Sequence, residues 1–232
     1  MTTPLKTQNI FYASALAQAH SEAYTDTFKS GFSWLAKTLK TAPGPMQLFD
    51  IGCGDGTWLA AARDMKIAGE GIDISADILK IAQKKGLQVR QGSAASTPPP
   101  AGTNAVTALG EVLAYKPTAL TPCALNIARV LPKNGLFIFD LPGPGTPQNT
   151  GSSQGLSWKL EARSFVSGNT LSRQIHIETE DGIVEETHFQ HLFSPEEVSD
   201  ILTGLGFEVQ VLTSYGPCEF LPGRYGILAR KT

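Results

Sequence analysis

The sequence predicts an α/β protein: a doubly wound, mostly parallel sheet of seven strands with helices on both faces, and a small antiparallel β meander inserted after the fifth strand. Three observations predict it. The apolar run Leu48-Phe49-Asp50-Ile51 ends in Gly52-Cys53-Gly54-Asp55-Gly56, and a helical run, Trp58-Leu59-Ala60-Ala61-Ala62, opens behind it, giving strand, tight turn, helix. Further short apolar runs end near Asp73, Leu109 and Leu141 and alternate with helix-patterned stretches, as in a sheet built from strand–helix units. Three runs between residues 158 and 193 alternate apolar and polar side chains with period two, the pattern of antiparallel strands with one buried face.

Residues 9–40 read as helical, with Phe28, Phe32, Leu35 and Leu39 recurring at helical spacing. Pro43-Gly44-Pro45 breaks that segment and leads into the first strand. Glycines in the following turn let the backbone take positive φ and approach a ligand closely. Free N–H groups at the start of the next helix suit an anionic group. A dinucleotide fingerprint is spaced G-x-G-x-x-G. Here the third glycine comes one residue early, at Gly56, and Thr57 stands where that pattern wants glycine. The helix runs to about Met65, and Ile67 to Asp73 is the second strand. Ser75 is the N-cap of a helix over 76–85 that ends near Gly86. Leu87 to Gln91 is a short third strand, Pro98-Pro99-Pro100 forces a loop, and Asn104 to Leu109 is the fourth strand.

Residues 118–131 form a helix with Leu120, Leu125, Ile127, Ala128 and Leu131 as its apolar surface, closed by Pro132-Lys133-Asn134-Gly135. Leu136 to Leu141 is a buried fifth strand. Residues 142–157, rich in Gly, Pro, Ser, Thr and Asn, read as one long irregular loop, of the kind that is a functional lid or disordered. Alternation follows in Trp158, Leu160 and Ala162, then in Leu171, Arg173, Ile175 and Ile177. Ile183, Glu185, Thr187, Phe189, His191 and Phe193 share one side of the third run. Asn169 and Asp181-Gly182 supply the turns. Ser194-Pro195-Glu196-Glu197 is a capping box with proline at the first helical position. Val198, Ile201, Leu202 and Leu205 are that helix's buried stripe, and Gly206 stops it. Phe207 to Thr213 and Tyr225 to Arg230 are the last two strands. The chain reads as one domain over 1–232, with an N-terminal helical lid over 1–42 and an insertion over 142–193.

At 41% apolar, 232 residues supply the core of one large domain. The net charge of −2 and the scattered Lys and Arg argue against a nucleic-acid partner. Cys53, Cys123 and Cys218 are far apart, and no C-x-x-C or Cys/His cluster points to zinc or another metal. Reduced cytosolic thiols are the simplest reading. The N-terminus lacks the apolar core of a secretion signal, and no run is long enough to span a bilayer. A cytoplasmic protein with no membrane partner is expected; the sequence leaves its oligomeric state open.

The arrangement Asp50-x-Gly52-x-Gly54-x-Gly56 resembles motif I of the class I S-adenosylmethionine (SAM) methyltransferases, whose sheet is Rossmann-like. Gly71-Ile72-Asp73-Ile74-Ser75 adds an acid at the end of the second strand, roughly twenty residues on, where a ribose hydroxyl needs an acceptor. The run from Arg129 to Leu141 resembles the family's L-x-P-G-G turn before strand five. The resemblance covers nearly the whole chain. It implies SAM as cofactor and S-adenosylhomocysteine as product. It implies a cofactor set of Asp50, Gly52, Cys53, Gly54 and Gly56 in the turn, Asp73 and Ile74 after strand two, and Ser93 and Ala94 after strand three. Leu109, Glu111 and Tyr115 complete the set where strand four's exit passes the sulfonium and the adenine.

Many family members carry an acid at the position of Ser93 to accept from the adenine amino group. A hydroxyl accepts that bond more weakly than a carboxylate. Glu111 reads equally as a helix-start carboxylate that favours the dipole. In resembling enzymes an N-terminal helical segment lies across the cofactor and an early aromatic helps close it, a part open to Tyr12 or Tyr24. The exit of strand four lacks the Asp/Asn-Pro-Pro-Tyr/Phe signature of adenine-N6 methylases. Pro122-Cys123 and Pro217-Cys218 resemble the Pro-Cys pair of cytosine-C5 enzymes but lie elsewhere.

Methyl transfer is an in-line displacement, so the protein mainly aligns the partners. A hydroxyl or carboxyl acceptor also needs a base or a polar clamp. His191 shares a strand face with Phe189 and Phe193, and His188 falls on the opposite face. The expected catalytic set is therefore His191, Glu111 and Tyr12, and the expected acceptor-binding set is Arg173, His191 and Tyr24. The meander resembles the insertion that roofs the acceptor pocket in small-molecule methyltransferases. The expected function is methyl transfer from SAM to nitrogen or oxygen of a small molecule or short peptide group. One alternative is a non-catalytic SAM-binding regulatory subunit. A nicotinamide-dependent oxidoreductase is the other, against which stand the glycine spacing and the lack of a Tyr-x-x-x-Lys pair.

Overall fold

The central strands are apolar at consecutive positions because both of their faces are covered. A computed structural model describes residues 14–23, 27–115 and 119–232. In β1 (Gln47–Ile51), Leu48 joins one core and Phe49 and Ile51 the other; in β5 (Leu136–Pro142), Ile138 joins the first and Phe137 and Phe139 the second. Helices α2 (Phe32–Leu39), α3 (Thr57–Asp64) and α4 (Ala76–Lys84) contribute to the first core. Helices α5 (Leu120–Val130) and α6 (Pro195–Gly204) contribute to the second. Ser75 and Ser194 cap α4 and α6 as expected, their hydroxyls accepting from the N–H groups of Ile78 and Glu197.

The remaining strands of this sheet are β2 (Ala68–Asp73), β3 (Val89–Gln91), β4 (Ala105–Ala108), β10 (Phe207–Leu212) and β13 (Arg224–Lys231). Their order is β10-β13-β5-β4-β1-β2-β3, with only β13 running against its neighbours. This is the doubly wound, Rossmann-like, seven-stranded sheet the sequence predicts. The order reverses between β1 and β4, and a crevice opens at the carboxyl ends of strands at such a point. Between β10 and β13 lies a two-stranded hairpin, β11 (Ser214–Tyr215) and β12 (Cys218–Glu219), which the sequence reading had not separated.

The insertion is a second, antiparallel sheet of four strands: β6 (Thr150–Gln154), β7 (Trp158–Ser167), β8 (Thr170–Thr179) and β9 (Gly182–His191). β6 falls inside the stretch expected to be irregular. Its sequence, Thr-Gly-Ser-Ser-Gln, has no apolar alternation, and its ladder to β7 alone makes it a strand. Register rows cross the sheet as Leu160–Ile177–Val184, Ala162–Ile175–Glu186 and Ser164–Arg173–His188. The inward face of β9 is therefore Val184, Glu186, His188 and Gln190. This reverses the expected parity. Ile183 and Phe189 point outward, 51% and 59% exposed, because the apolar positions of β8 set which partners on β9 face in.

Of the stretch over 9–40 expected to be helical, the described residues form α1 (Ser14–Ala23), a 3-10 turn at Lys29–Gly31 and α2. Leu16 and Ala19 of α1 pack on Trp158, Leu160, Ile175 and Ile177, so α1 lies against the inner face of the second sheet. Among the described residues no helix is long and apolar enough to cross a membrane.

Candidate active site

The glycine turn holds three residues at positive φ, Gly52 at 67°, Gly54 at 55° and Gly56 at 76°. They serve different ends. A Cβ on Gly52 would meet Val112 at 2.5 Å, and one on Gly56 would run into Leu87. A Cβ on Gly54 would meet only Ile78, at an ordinary 3.6 Å. Gly54 is the glycine with open space in front of it. Gly56, expected among the cofactor residues, does not line the cavity; it lets α3 pack against Leu87 and Ala82.

Asp73 braces this turn. Its Oδ2 accepts from the Gly54 N–H at 3.0 Å and its Oδ1 from the Ser75 N–H at 2.9 Å. Burial raises its pKa against the opposing N–H groups of Ser75, Gly54 and Ile74. Each oxygen keeps accepting capacity for a hydroxyl. Asp50 is deeper. Thr107 Oγ1 donates to it at 2.6 Å, and Trp58 Nε1 donates to Thr107 at 3.2 Å. Burial raises Asp50 to about 7, against the Thr107 bond and with repulsion from Asp73 adding to the rise. Asp55 ties α1 to the turn: Ser21 Oγ donates at 2.9 Å and Lys85 Nζ at 2.8 Å. Burial would raise it, but the Lys85, Ser21 and Thr57 donors hold it below the usual carboxylate range. From the next residue of α1, Glu22 accepts from Trp158 Nε1 of β7 at 2.6 Å.

One cavity of about 750 Å3 opens at the carboxyl ends of β1, β2 and β4, beneath the second sheet. It is lined by Asp50, Gly52, Cys53, Gly54, Asp73, Ile74, Ser93, Ala94, Leu109, Glu111 and Tyr115, which is the expected cofactor set without Gly56. Leu16 and His20 of α1 line it too, as do Arg173 and His188 of the second sheet. Tyr12 and Tyr24 lie outside the described residues. His191 does not line the cavity; its ring stands edge-on to Phe193 at 4.4 Å.

Glu111 sits at φ 63° and is buried. Its Oε1 accepts from Arg224 Nε and Nη2 at 3.0 and 2.6 Å, and its Oε2 from Gln190 Nε2 at 2.8 Å, with Arg173 3.8 Å away. Burial would raise this carboxyl, but Arg224 and Arg173 outweigh it and hold it ionised. That wiring suits a fixed countercharge. Asp140 lies below, accepting from the N–H groups of Gly110 and Glu111 at 2.8 and 3.0 Å and from Tyr215 Oη at 3.3 Å. Burial raises it to about 6, with Arg224 opposing.

Sequence reasoning missed Asp140, Arg224, Gln190 and Glu186, and set His188 aside in favour of His191. Asp140 left a signal, a lone charge in the apolar run Leu136 to Leu141. His188 Nε2 lies 2.8 Å from Glu186 Oε2, both are buried, and the ring stands edge-on to Tyr115 at 5.8 Å.

SAM fits this site. Gly54 leaves room for close approach, Asp73 presents acceptor oxygens, and the volume lies in the range of about 300–1,000 Å3 typical of ligand pockets. The fold is similar to that of a SAM-dependent methyltransferase from Clostridium acetobutylicum ATCC 824, at 15% identity and a TM-score of 0.77 over 93% of this chain and 97% of that one. It is similar to the sugar N-methyltransferase KedS8 from Streptoalloteichus sp ATCC 53650, at 20% identity and a TM-score of 0.80 over 100% and 97%. SAM-bound CalS10, an amino pentose methyltransferase from Micromonospora echinaspora, matches at 16% identity and a TM-score of 0.72 over 98% and 100%. No curated protein matches the chain. Residues 25–212 match the profile of the family described as methyltransferase domain; the chain belongs to that family and is a SAM-dependent methyltransferase.

Proposed function

We propose that the protein methylates a nitrogen or oxygen atom of a small polar acceptor, a small molecule or a short peptide group, held beneath the second sheet. One observation carries this reading. A single cavity runs from the glycine turn and Asp73 to the polar inner-face residues Ser164, Arg173 and His188. That leaves one end for the cofactor and the other for an acceptor.

SAM, when bound, supplies a methyl group on a positively charged sulfur. The residues that would hold it are Asp73 at the ribose hydroxyls, the Gly54 backbone beside them, and Ser93 at the adenine. The chain's own part is alignment and exclusion of water. α1, fastened to Asp55 on one side and Trp158 on the other, serves as the lid. The second sheet serves as the roof, and Arg173 orients an anionic or strongly polar group of the acceptor. Two proteins of similar structure, a sugar N-methyltransferase and an amino pentose methyltransferase, support a small polar acceptor.

The test is label transfer from methyl-labelled SAM to a panel of amino sugars, simple amines, hydroxy acids and short peptides. Transfer to at least one small member is the expected result. Tight SAM binding without transfer to any of them would overturn the small-acceptor reading.

A further inference from the structure

We propose that His188, oriented by Glu186, is the base that takes the acceptor's proton, and that the acceptor group therefore still carries a proton at neutral pH: a hydroxyl or an ammonium. The inference rests on the reading of this cavity as the methyl-transfer site and names the acceptor's chemistry within it.

Glu186 and His188 stand two residues apart on β9, so both side chains leave the same face of the strand. That face is the inward one. The ring's Nε2 lies 2.8 Å from Glu186 Oε2, and both groups are buried. A carboxylate there accepts from Nε2–H. This fixes the tautomer and makes Nδ1 the basic atom of the ring. The ring lines the cavity and stands edge-on to Tyr115, on the exit of β4 where the cofactor half of the site ends. It thus sits between the two halves of the cavity.

The pair's neighbours on the inner face include Ile175, Ile177 and Val184, so two titratable groups stand beside apolar ones, at a desolvation cost that their own hydrogen bond offsets in part. Among the described residues, the charged and titratable groups facing the ring include Glu186 on its own strand, Arg173 across the register on β8 and Tyr115 after β4. Glu111 lies behind Arg173, 3.8 Å from its guanidinium.

The step balances. A lone pair on the acceptor atom forms the new bond to the methyl carbon while the carbon–sulfur bond breaks with its pair going to sulfur. The acceptor's proton passes to His188 Nδ1 and leaves to solvent on opening. For an ammonium, the proton leaves before the displacement, because only then is the lone pair available.

The experiment uses the full chain loaded with S-adenosylhomocysteine and labelled with nitrogen-15 in histidine. Wild type is compared with His188→Gln, Glu186→Gln and Glu186→Asp. The ring spectrum is expected to show the Nε2–H form near neutral pH, and Glu186→Gln to shift its titration to lower pH. S-adenosylhomocysteine affinity should stay within about threefold in every variant. With the amine and hydroxyl arms of the panel as probes, turnover should fall by roughly 10²–10³-fold in His188→Gln. It should fall about tenfold in Glu186→Gln and recover in part in Glu186→Asp, with the acid limb of the pH profile moving with the ring's titration.

An Nδ1–H tautomer in wild type, or a ring that stays protonated from about pH 5 to 9, overturns the proposal whatever the acceptor. So does a loss of S-adenosylhomocysteine affinity in His188→Gln as large as the loss of turnover, or a rate that follows only the neutral amine and ignores His188→Gln. Wild type that binds no S-adenosylhomocysteine overturns instead the methyl-transfer reading beneath it.

Discussion

Arg224 donates two hydrogen bonds to one oxygen of Glu111, from Nε at 3.0 Å and from Nη2 at 2.6 Å. The two residues lie 113 positions apart. Glu111 follows β4 at positive φ, and Arg224 opens β13. Gln190 of β9 and Arg173 of β8 close on the other Glu111 oxygen, so this one carboxylate joins the second sheet to the first. Asp140 holds the loop from beneath through the N–H groups of Gly110 and Glu111.

Arg224→Met is therefore expected to destabilise the protein by about 3–5 kcal/mol, because it strands Glu111 and Asp140 as buried charges without their main partner. Urea unfolding measures it. Adding Glu111→Gln should restore part of the loss, since the stranded charge is then removed. Equal stability of Arg224→Met and wild type would mean the cluster is solvated.

Asp73→Ala should weaken SAM binding by roughly 10–100-fold while the fold survives. A hydrogen bond to a charged group is worth about 1.5–3 kcal/mol. Asp73 also holds the Gly54 and Ser75 N–H groups, so Asp73→Asn, which keeps one accepting oxygen, should do less harm. Calorimetry that finds unchanged affinity in Asp73→Ala would remove this residue from the site.

Gly54 and Gly56 should separate cofactor binding from stability. Gly54→Ala puts a methyl into open space at a left-handed φ, costing about 1–2 kcal/mol of backbone strain and obstructing the cofactor. Gly56→Ala drives the methyl into Leu87. Its larger effect should appear as a lowered melting temperature, with SAM affinity in the surviving folded protein changed less than in Gly54→Ala.

Asp50 predicts a pH dependence of stability. Its carboxyl is raised from an ordinary 3.8 to about 7 in the folded protein. Between those values the folded chain holds a proton that the unfolded chain has lost. Its contribution is complete below the unfolded value and is lost as pH rises towards about 7, at up to about 1.4 kcal/mol per pH unit. Asp50→Asn should flatten that slope in unfolding measured at several values across the window. An unchanged slope would mean that Asp50 stays ionised in the fold.

Arg173→Ala should lower acceptor turnover and leave SAM affinity within a few-fold, because Arg173 lines the roof end of the cavity. His191→Ala should change neither, because its ring packs against Phe193 outside the cavity. A fall in turnover on losing His191 would return that residue to the site.

The cofactor half of the site is legible in the sequence because it is local. Asp50 to Gly56 form one turn, and Asp73 ends the strand paired beside it, so consecutive residues and one short spacing carry the whole pattern. The roof half is legible only in part, Arg173 on β8 but not the inner face of β9, for a physical reason. Period-two alternation shows that a strand has two faces; it does not show which one points in. On β9 the more apolar face, with Ile183 and Phe189, points outward, and Glu186, His188 and Gln190 fill the inner face. Only the register with β8 decides this. β6 exists only through its ladder to β7. Fold class, cofactor and the glycine turn were thus set by neighbours along the chain. The grip of Arg224 on Glu111 and the pairing of His188 with Tyr115 were decided by tertiary contact, which brings together residues that no local spacing links.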